Sequence, residues 1–113
     1  MKKTHEPLLV KEYLQGVYDS MEFTLASGIT DYDVRANVTG AYENYNLYTT
    51  INIRTTEDIT IKFNSTGNRA VTISDNRPFE LDNMLEITNM YISNSSGSTA
   101  SIKIIGIRKG AIQ

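Results

Sequence analysis

The feature that most constrains the fold is a strict alternation of apolar and polar residues on both sides of one turn. The alternating apolar positions are Ile59, Ile61, Phe63, Val71 and Ile73. A period of two places these side chains on one face of a sheet and their polar neighbours on the other. Between the two runs lie turn-forming residues 65–68, in which Gly67 accepts a positive φ. The segment from Asp58 to Ser74 is therefore predicted to be a β-hairpin with one face in a core.

The same alternation recurs at intervals of about 8–12 residues, the spacing typical of small antiparallel β-proteins. Predicted strands cover residues 21–25, 32–38, 47–55, 59–63, 71–73, 85–92 and 100–107, with a short eighth strand at 79–81. No long helix separates them, which argues against parallel pairing. The fold is predicted to be all-β, an antiparallel β-sandwich of seven to eight strands. Periodicity does not distinguish a jelly-roll from an immunoglobulin-like strand order.

Two of these predicted strands change parity along their length. In the strand over 85–92 the apolar positions shift across Thr88 and Asn89, and in the strand over 100–107 they shift beside Gly106. A parity change within one strand is what a β-bulge produces, and glycine often marks one. The alternative is that both strands are buried on two sides.

The N-terminal residues follow a different period. Val10, Tyr13, Leu14 and Val17 recur at spacings of three and four, which suits a short amphipathic helix. The chain therefore divides into an arm or helix over 1–20 and a sandwich over 21–113. The helix either covers one end of its own sandwich or orders only against a neighbouring subunit. We favour the arm, because the predicted sandwich is complete without it.

The composition of the chain limits the classes of partner and site that it can have. The chain has 113 residues, enough for one domain with one core, and contains no cysteine. Its formal charge of −2 argues against binding a phosphate backbone, so no nucleic-acid partner is predicted. No apolar run reaches membrane-spanning length and no signal-peptide core follows the N-terminus. We therefore predict no membrane partner and synthesis in the cytoplasm.

Catalytic and metal-binding constellations are not evident. His5 is the only histidine and lies near the terminus, which argues against a Ser-His-Asp triad or a multi-histidine metal centre. The acidic pairs, such as Asp31 with Asp33 and Glu80 with Asp82, fall at predicted turns or on polar strand faces, where carboxylates are common. We predict no catalytic residues, no metal site and no cofactor.

The local cluster of greatest interest is aromatic. Tyr42, Tyr45 and Tyr48 lie in a predicted loop and strand start, together with Asn44 and Asn46. Aromatic side chains beside amides can hold a sugar ring, and tyrosine is also frequent in protein interfaces. Three interpretations follow: a protein interface, a glycan-binding loop, or packing at the rim of the core. The candidate interface residues are Val10, Tyr13, Leu14, Val17, Tyr42, Tyr45 and Tyr48.

The order and style of the strands also resemble a known class of proteins. The segments are 51–54 (INIR), 59–66 (ITIKFNST), 70–73 (AVTI), 78–81 (PFEL), 85–92 (LEITNMYI) and 100–106 (ASIKIIG). Together they resemble small β-sandwich virion proteins of tailed bacteriophages, such as auxiliary or decoration proteins of the capsid. The likeness covers about half of the chain and brings no catalytic or ligand-binding residues.

This resemblance implies a non-enzymatic structural part of a virion. Such a part would be a capsid auxiliary or decoration protein, or a subunit of a fibre, neck or tail. Its expected partners are other virion proteins and further copies of itself, as a homo-oligomer. The alternative is a carbohydrate-binding module that binds a glycan through the tyrosine-rich loop.

Overall fold

The computed structural model describes residues 17–109. Within this range there are eight strands and a single helical turn. The strands are β1 (Asp19–Leu25), β2 (Ile29–Asp33), β3 (Tyr48–Thr55), β4 (Ile59–Phe63), β5 (Val71–Ile73), β6 (Phe79–Ile87), β7 (Met90–Asn94) and β8 (Ala100–Ile107), and helix α1 (Val34–Asn37) follows β2. The predicted all-β fold is confirmed.

The strands form two four-stranded sheets that pack face to face. Sheet A has the order β1-β8-β3-β6, and sheet B has the order β2-β7-β4-β5. All the pairings are antiparallel. Between strands the chain changes sheet at every step except the β4–β5 hairpin. This interleaving is that of an eight-stranded jelly roll, whereas an immunoglobulin sandwich keeps several consecutive strands as neighbours within one sheet.

The core lies between the two sheets, and isoleucine fills much of it. Strand β4 shows the rule, since Ile59, Ile61 and Phe63 are buried while Thr60 and Lys62 are partly exposed. Burying one such side chain contributes about 1.5–3 kcal/mol. The buried apolar residues are Met21, Leu25, Val34, Val38, Tyr48, Ile51, Ile53, Ile59, Ile61, Phe63, Ile73, Ile87, Met90, Ile92, Ala100, Ile102, Ile104 and Ile107.

The central hairpin forms as predicted, although its turn differs in detail. Strands β4 and β5 pair with Ile61 opposite Val71, so the alternation of both strands faces the same side. The positive φ expected at Gly67 falls instead on Asn64, at 72°. Asparagine tolerates this conformation because its short polar side chain bonds locally.

The predicted strand over 32–38 is wrong in its second half. Strand β2 ends at Asp33, whose carboxylate accepts a hydrogen bond of 3.0 Å from the Ala36 backbone N–H and so caps helix α1. Val34 and Val38 are both buried, whereas Ala36 between them is exposed. Positions four apart share a face in a helix and in a strand alike, and only Ala36 distinguishes the two.

Neither parity change marks a bulge. Residues 85–92 belong to two strands, because Thr88 and Asn89 carry the chain from sheet A to sheet B between β6 and β7. In β8 every second residue from Ala100 to Gly106 is buried, so the alternation continues through Gly106. The pairing of β8 with β3 has no register shift. The short strand predicted at 79–81 is the start of the nine-residue β6.

The N-terminal boundary of the sandwich lies slightly before the predicted one. Strand β1 begins at Asp19, so Asp19 and Ser20 pair with β8 and belong to sheet A. Residues 1–16 and 110–113 lie outside the described residues. The predicted helix over the arm therefore stays a prediction.

Candidate functional site

The tyrosines predicted to form a surface cluster lie at one end of the sandwich and pack largely inward. Tyr48 is the first residue of β3 and is fully buried. Its ring lies over Gly106 of β8, where a Cβ atom would come within 2.8–2.9 Å of the ring carbons. The glycine at 106 therefore makes room for this ring. With no exposed surface in the single chain, Tyr48 is part of the core.

A buried carboxylate anchors this end of the sandwich. Asp19 has no exposed surface, and it accepts a 2.5 Å hydrogen bond from the Tyr48 hydroxyl. It also accepts bonds from the Glu43 backbone N–H at 3.1 Å and from the Asn44 side-chain amide at 2.6 Å. Hydrogen bonds to a charged acceptor in a buried site are stronger than neutral ones. The loop between α1 and β3 is thus tied to the start of β1.

The ring of Tyr42 is covered on both faces. It stacks on the Tyr48 ring at a centroid distance of 4.3 Å, and the Arg35 guanidinium lies 4.4 Å from its centroid. Two groups at these distances cannot share one face, so they lie on opposite sides. The Tyr42 hydroxyl donates to the Ile87 carbonyl at 3.1 Å. No face of this ring is free to stack on a sugar.

Tyr45 completes the cluster at its outer side. Its ring meets Tyr48 edge-on at 6.4 Å, and its hydroxyl donates to the Val17 carbonyl. Burial raises the pKa of Tyr42 and that of Tyr48, and for Tyr48 the hydrogen bond to Asp19 raises it further. Burial likewise raises the pKa of Tyr45. The interpretation that the structure favours for these tyrosines is packing at the rim of the core.

Of the other predicted interface residues, Val17 alone is described. Its side chain is 48% exposed, and the neighbouring Tyr18 is 44% exposed. Val10, Tyr13 and Leu14 lie outside the described residues. Where the chain enters the sandwich it therefore presents two exposed apolar side chains.

The surface feature that sequence reasoning missed is a bulge in β6. On β3, Tyr48 and Thr50 are two residues apart, but their partners on β6, Ile87 and Asp82, are five apart. Residues 83–86 of β6 therefore lie opposite Thr49 alone, and all four are exposed. The sequence feature that could have indicated this bulge is the apolar pair Met84 and Leu85 within an acidic segment. The sequence does not show, however, that β3 leaves this segment unpaired.

The bulge has a fixed base and an apolar tip. Asn83 adopts a positive φ of 59°. The Asn64 amide donates to the Glu86 carbonyl at 2.9 Å and accepts from the Thr88 N–H at 2.7 Å, which ties the bulge to the β4–β5 loop. Met84 is 79% exposed, the highest value among the large apolar side chains of residues 17–109. A large apolar side chain held in water on a tethered bulge is a candidate contact point.

A shallow depression of about 450 Å³ lies on the outer face of sheet A. Three neighbouring strands place Glu22, Lys103 and Arg54 in one cross-strand row along it. The Nζ atom of Lys103 lies 3.7 Å from Oε2 of Glu22, which forms an ion pair. The Arg54 guanidinium, by contrast, has no hydrogen bond or ion pair within residues 17–109. Two cations directly opposite each other on a sheet repel. The depression therefore offers unneutralised positive charge.

Three carboxylates of the acidic pairs form contacts within the fold. Asp31 forms an ion pair of 3.2 Å with Lys62, and Asp33 caps α1 while accepting from the Asn89 amide at 2.9 Å. Asp82 is bound by Lys109 at 3.1 Å, which lowers the pKa of its carboxyl. In the described part of the chain no three His, Cys, Asp or Glu side chains are grouped so that they could hold a metal ion. Nor does any helix there have the length and apolarity to cross a membrane.

Comparisons with known proteins identify no family. No protein-family model matches the chain, and no curated protein matches it. Among solved structures, it is similar to a de novo designed double-stranded β-helix determined by solution NMR, at 11% identity and a TM-score of 0.48. That match covers 75% of this chain and 94% of the designed one.

Proposed function

We propose that this protein is a non-enzymatic structural subunit of a phage virion that acts through protein–protein contacts. The places that it would occupy are those of a capsid auxiliary or decoration protein, or of a fibre, neck or tail subunit. Its partners would be other virion proteins and further copies of the same chain.

The observation that carries the proposal is that buried polar and aromatic side chains stabilise the fold, whereas several large apolar side chains are exposed. The buried Asp19 and the aromatic and cationic groups around it are engaged in holding the sandwich together. The exposed large apolar side chains of the described residues, by contrast, lie on the tethered bulge, at the chain entry and at the start of β2: Val17, Tyr18, Ile29, Met84 and Leu85. Such residues gain free energy when a partner covers them.

Two further points support it. The segments that resemble phage virion proteins fall mostly on strands β3 to β8, which form most of both sheets. The eight-stranded jelly roll is an architecture that occurs in viral capsid domains as well as in lectins. This second point is an analogy of fold and carries less weight than the surface.

The experiment is a docking assay with phage particles purified from a culture in which the gene is expressed. Full-length protein and a variant lacking residues 1–16 are each added to particles depleted of the native chain. We expect the full-length protein to co-sediment at a stoichiometry set by particle symmetry. Absence of the chain from native particles, with no binding of the added protein, would contradict the proposal.

The truncated variant tests the arm separately. If the arm serves a neighbour, the variant keeps the melting temperature of the intact subunit but does not dock. Unfolding of the truncated chain would instead place the arm in its own core. A glycan array probed with the full-length protein is the control for the alternative, and strong binding there would favour a carbohydrate-binding module.

A further inference from the structure

The described surface carries two features of opposite character on the same sheet. The first, which we call the acidic knob, is the bulge at residues 83–86, which contains Glu86 and directly follows Asp82 on β6. The second, the basic depression, is the hollow on sheet A in which the two cations Arg54 and Lys103 accompany one carboxylate, Glu22, so that one positive charge remains. Each has a property that the other lacks, since the knob projects and is acidic, while the depression recedes and is basic.

The knob combines apolar surface with negative charge. Strand β6 contains the acidic residues Glu80, Asp82 and Glu86 and no basic residue. Only Asp82 has an ion-pair partner within residues 17–109, namely Lys109. Between these carboxylates Met84 projects with 79% of its surface exposed. Methionine is flexible and polarisable, so it adapts to a shallow hollow better than a branched side chain does.

The depression provides the matching properties. Arg54 lines it and also lines an adjoining hollow of about 230 Å³ that contains Arg77. Neither guanidinium has a hydrogen-bonded or ionic partner in the described part of the chain. The lining is partly apolar, because Phe23 and Ile102 contribute to it. An acidic, apolar-tipped projection fits such a surface in both charge and shape.

We propose that the acidic knob of one copy docks into the basic depression of a second copy of this chain. The two features cannot meet within one copy. The knob lies beside Tyr48 and Thr50 at one end of β3, and the depression lies at Arg54 and Thr56 at the other end. The separation along the strand is roughly 15–20 Å at about 3.3 Å per residue.

Because the two surfaces differ, the contact is head-to-tail and leaves one knob and one depression free on each pair. Such a contact generates a closed ring, or a filament if the rotation does not close. This inference rests on the proposed function in taking protein contact as the role of the surface. It adds which residues meet and what kind of symmetry they generate.

The first test uses two charge variants of the full-length chain. Met84→Lys removes the apolar tip and places a cation opposite Arg54, and Arg54→Glu places a carboxylate opposite the acidic knob. Both sites are exposed, so folding should be little affected. Each variant should raise the dissociation constant for self-association about tenfold or more, as loss of a central contact does. Met84→Leu, which keeps an apolar tip, should raise it less than Met84→Lys does, and Arg69→Glu, a matched charge change in the β4–β5 loop, should leave it unchanged.

The second test distinguishes a head-to-tail contact from any other. The Met84→Lys and Arg54→Glu variants each retain one intact surface, so mixing them should restore association that neither shows alone. The absence of native cysteine allows a covalent version. A Met84→Cys variant mixed with a Thr56→Cys variant should give a disulfide-linked heterodimer under mild oxidation, in preference to either homodimer.

The outcomes separate this inference from the proposed function. Self-association that is insensitive to both variants, or a wild-type protein that stays monomeric into the millimolar range, would overturn the knob-and-depression contact, even if the chain docks on particles. Conversely, specific heterodimers formed by a chain that is absent from particles would support the contact and contradict the virion role.

Discussion

At the scale of single residues, the positions that matter most are those whose neighbours the sequence does not reveal. Asp19 reads as an ordinary polar residue near the end of an arm, yet it is buried and accepts hydrogen bonds from Tyr48 and the following loop. Gly106 reads as a bulge, yet it is the place where the Tyr48 ring lies against β8. Both roles depend on a contact between segments far apart in the chain.

Replacing Gly106 by alanine tests this packing. The added Cβ would lie 2.8–2.9 Å from three carbons of the buried Tyr48 ring, so the ring or the strand must shift. We expect a loss of about 1–3 kcal/mol in the free energy of unfolding, as for other overpacked cores. Denaturant titration measures it. Gly67→Ala is the matched control, because its nearest neighbour is an ordinary contact of 3.6 Å to the Ser65 hydroxyl; equal losses for the two variants would show that the ring does not occupy the space above Gly106.

The buried tyrosines predict how stability depends on alkaline pH. Burial raises the pKa of both Tyr42 and Tyr48 above the ordinary value of 10.0. Below that value both the folded and the unfolded chain keep the proton, so these groups add no pH dependence. At higher pH the unfolded chain releases protons that the folded chain retains, so stability falls by about 1.4 kcal/mol per pH unit for each tyrosine.

The measurement is chemical denaturation at a series of pH values on both sides of 10. Tyr42→Phe removes one titrating hydroxyl, and although it loses the bond to the Ile87 carbonyl, its stability should fall less steeply with rising pH than that of the wild type. Tyr18→Phe is the control, because Tyr18 is 44% exposed. A wild-type curve that stays flat above pH 10 would mean that these hydroxyls ionise as readily in the folded chain as in the unfolded one.

At the scale of elements, the strands could be predicted from local alternation of apolar and polar residues, whereas helix α1 and the bulge of β6 could not. The β4–β5 hairpin could be predicted because each of its apolar positions obeys a period of two and its ends carry turn-forming residues. Helix α1 was missed because Val34 and Val38 fit a strand and a helix equally. The bulge of β6 was missed because its extra residues are set by the register with β3, which is a long-range property.

The hairpin provides a direct test of which strand face is buried. Phe63 is 7% exposed and stacks on Phe79 at 6.2 Å, so Phe63→Ala should cost about 3–5 kcal/mol. The adjacent Lys62 points to the opposite face and holds a partly exposed ion pair with Asp31, so Lys62→Ala should cost about 1 kcal/mol or less. Similar losses from the two changes in denaturant unfolding would contradict the assigned faces.

At the scale of the whole molecule, the jelly roll buries the groups that stabilise the fold and leaves other side chains exposed on its surface. Strand order is not encoded in periodicity, so the sequence left two topologies open, and the sheet orders show which one forms. The sequence likewise left three interpretations of the tyrosines open, and contacts of Tyr48 with β8 and of Tyr42 with Arg35 favour packing at the rim of the core. What the exposed surface offers is apolar contact, at Met84 above all, and charge of both signs.

The most direct test of the proposed role is the mass of the full-length protein in solution and in the presence of particles. Light scattering at tens of micromolar, followed by sedimentation with depleted particles, measures both on the same sample. We predict a homo-oligomer of three or more copies, or stable incorporation into particles. A monomer at that concentration that also fails to sediment with particles would contradict it.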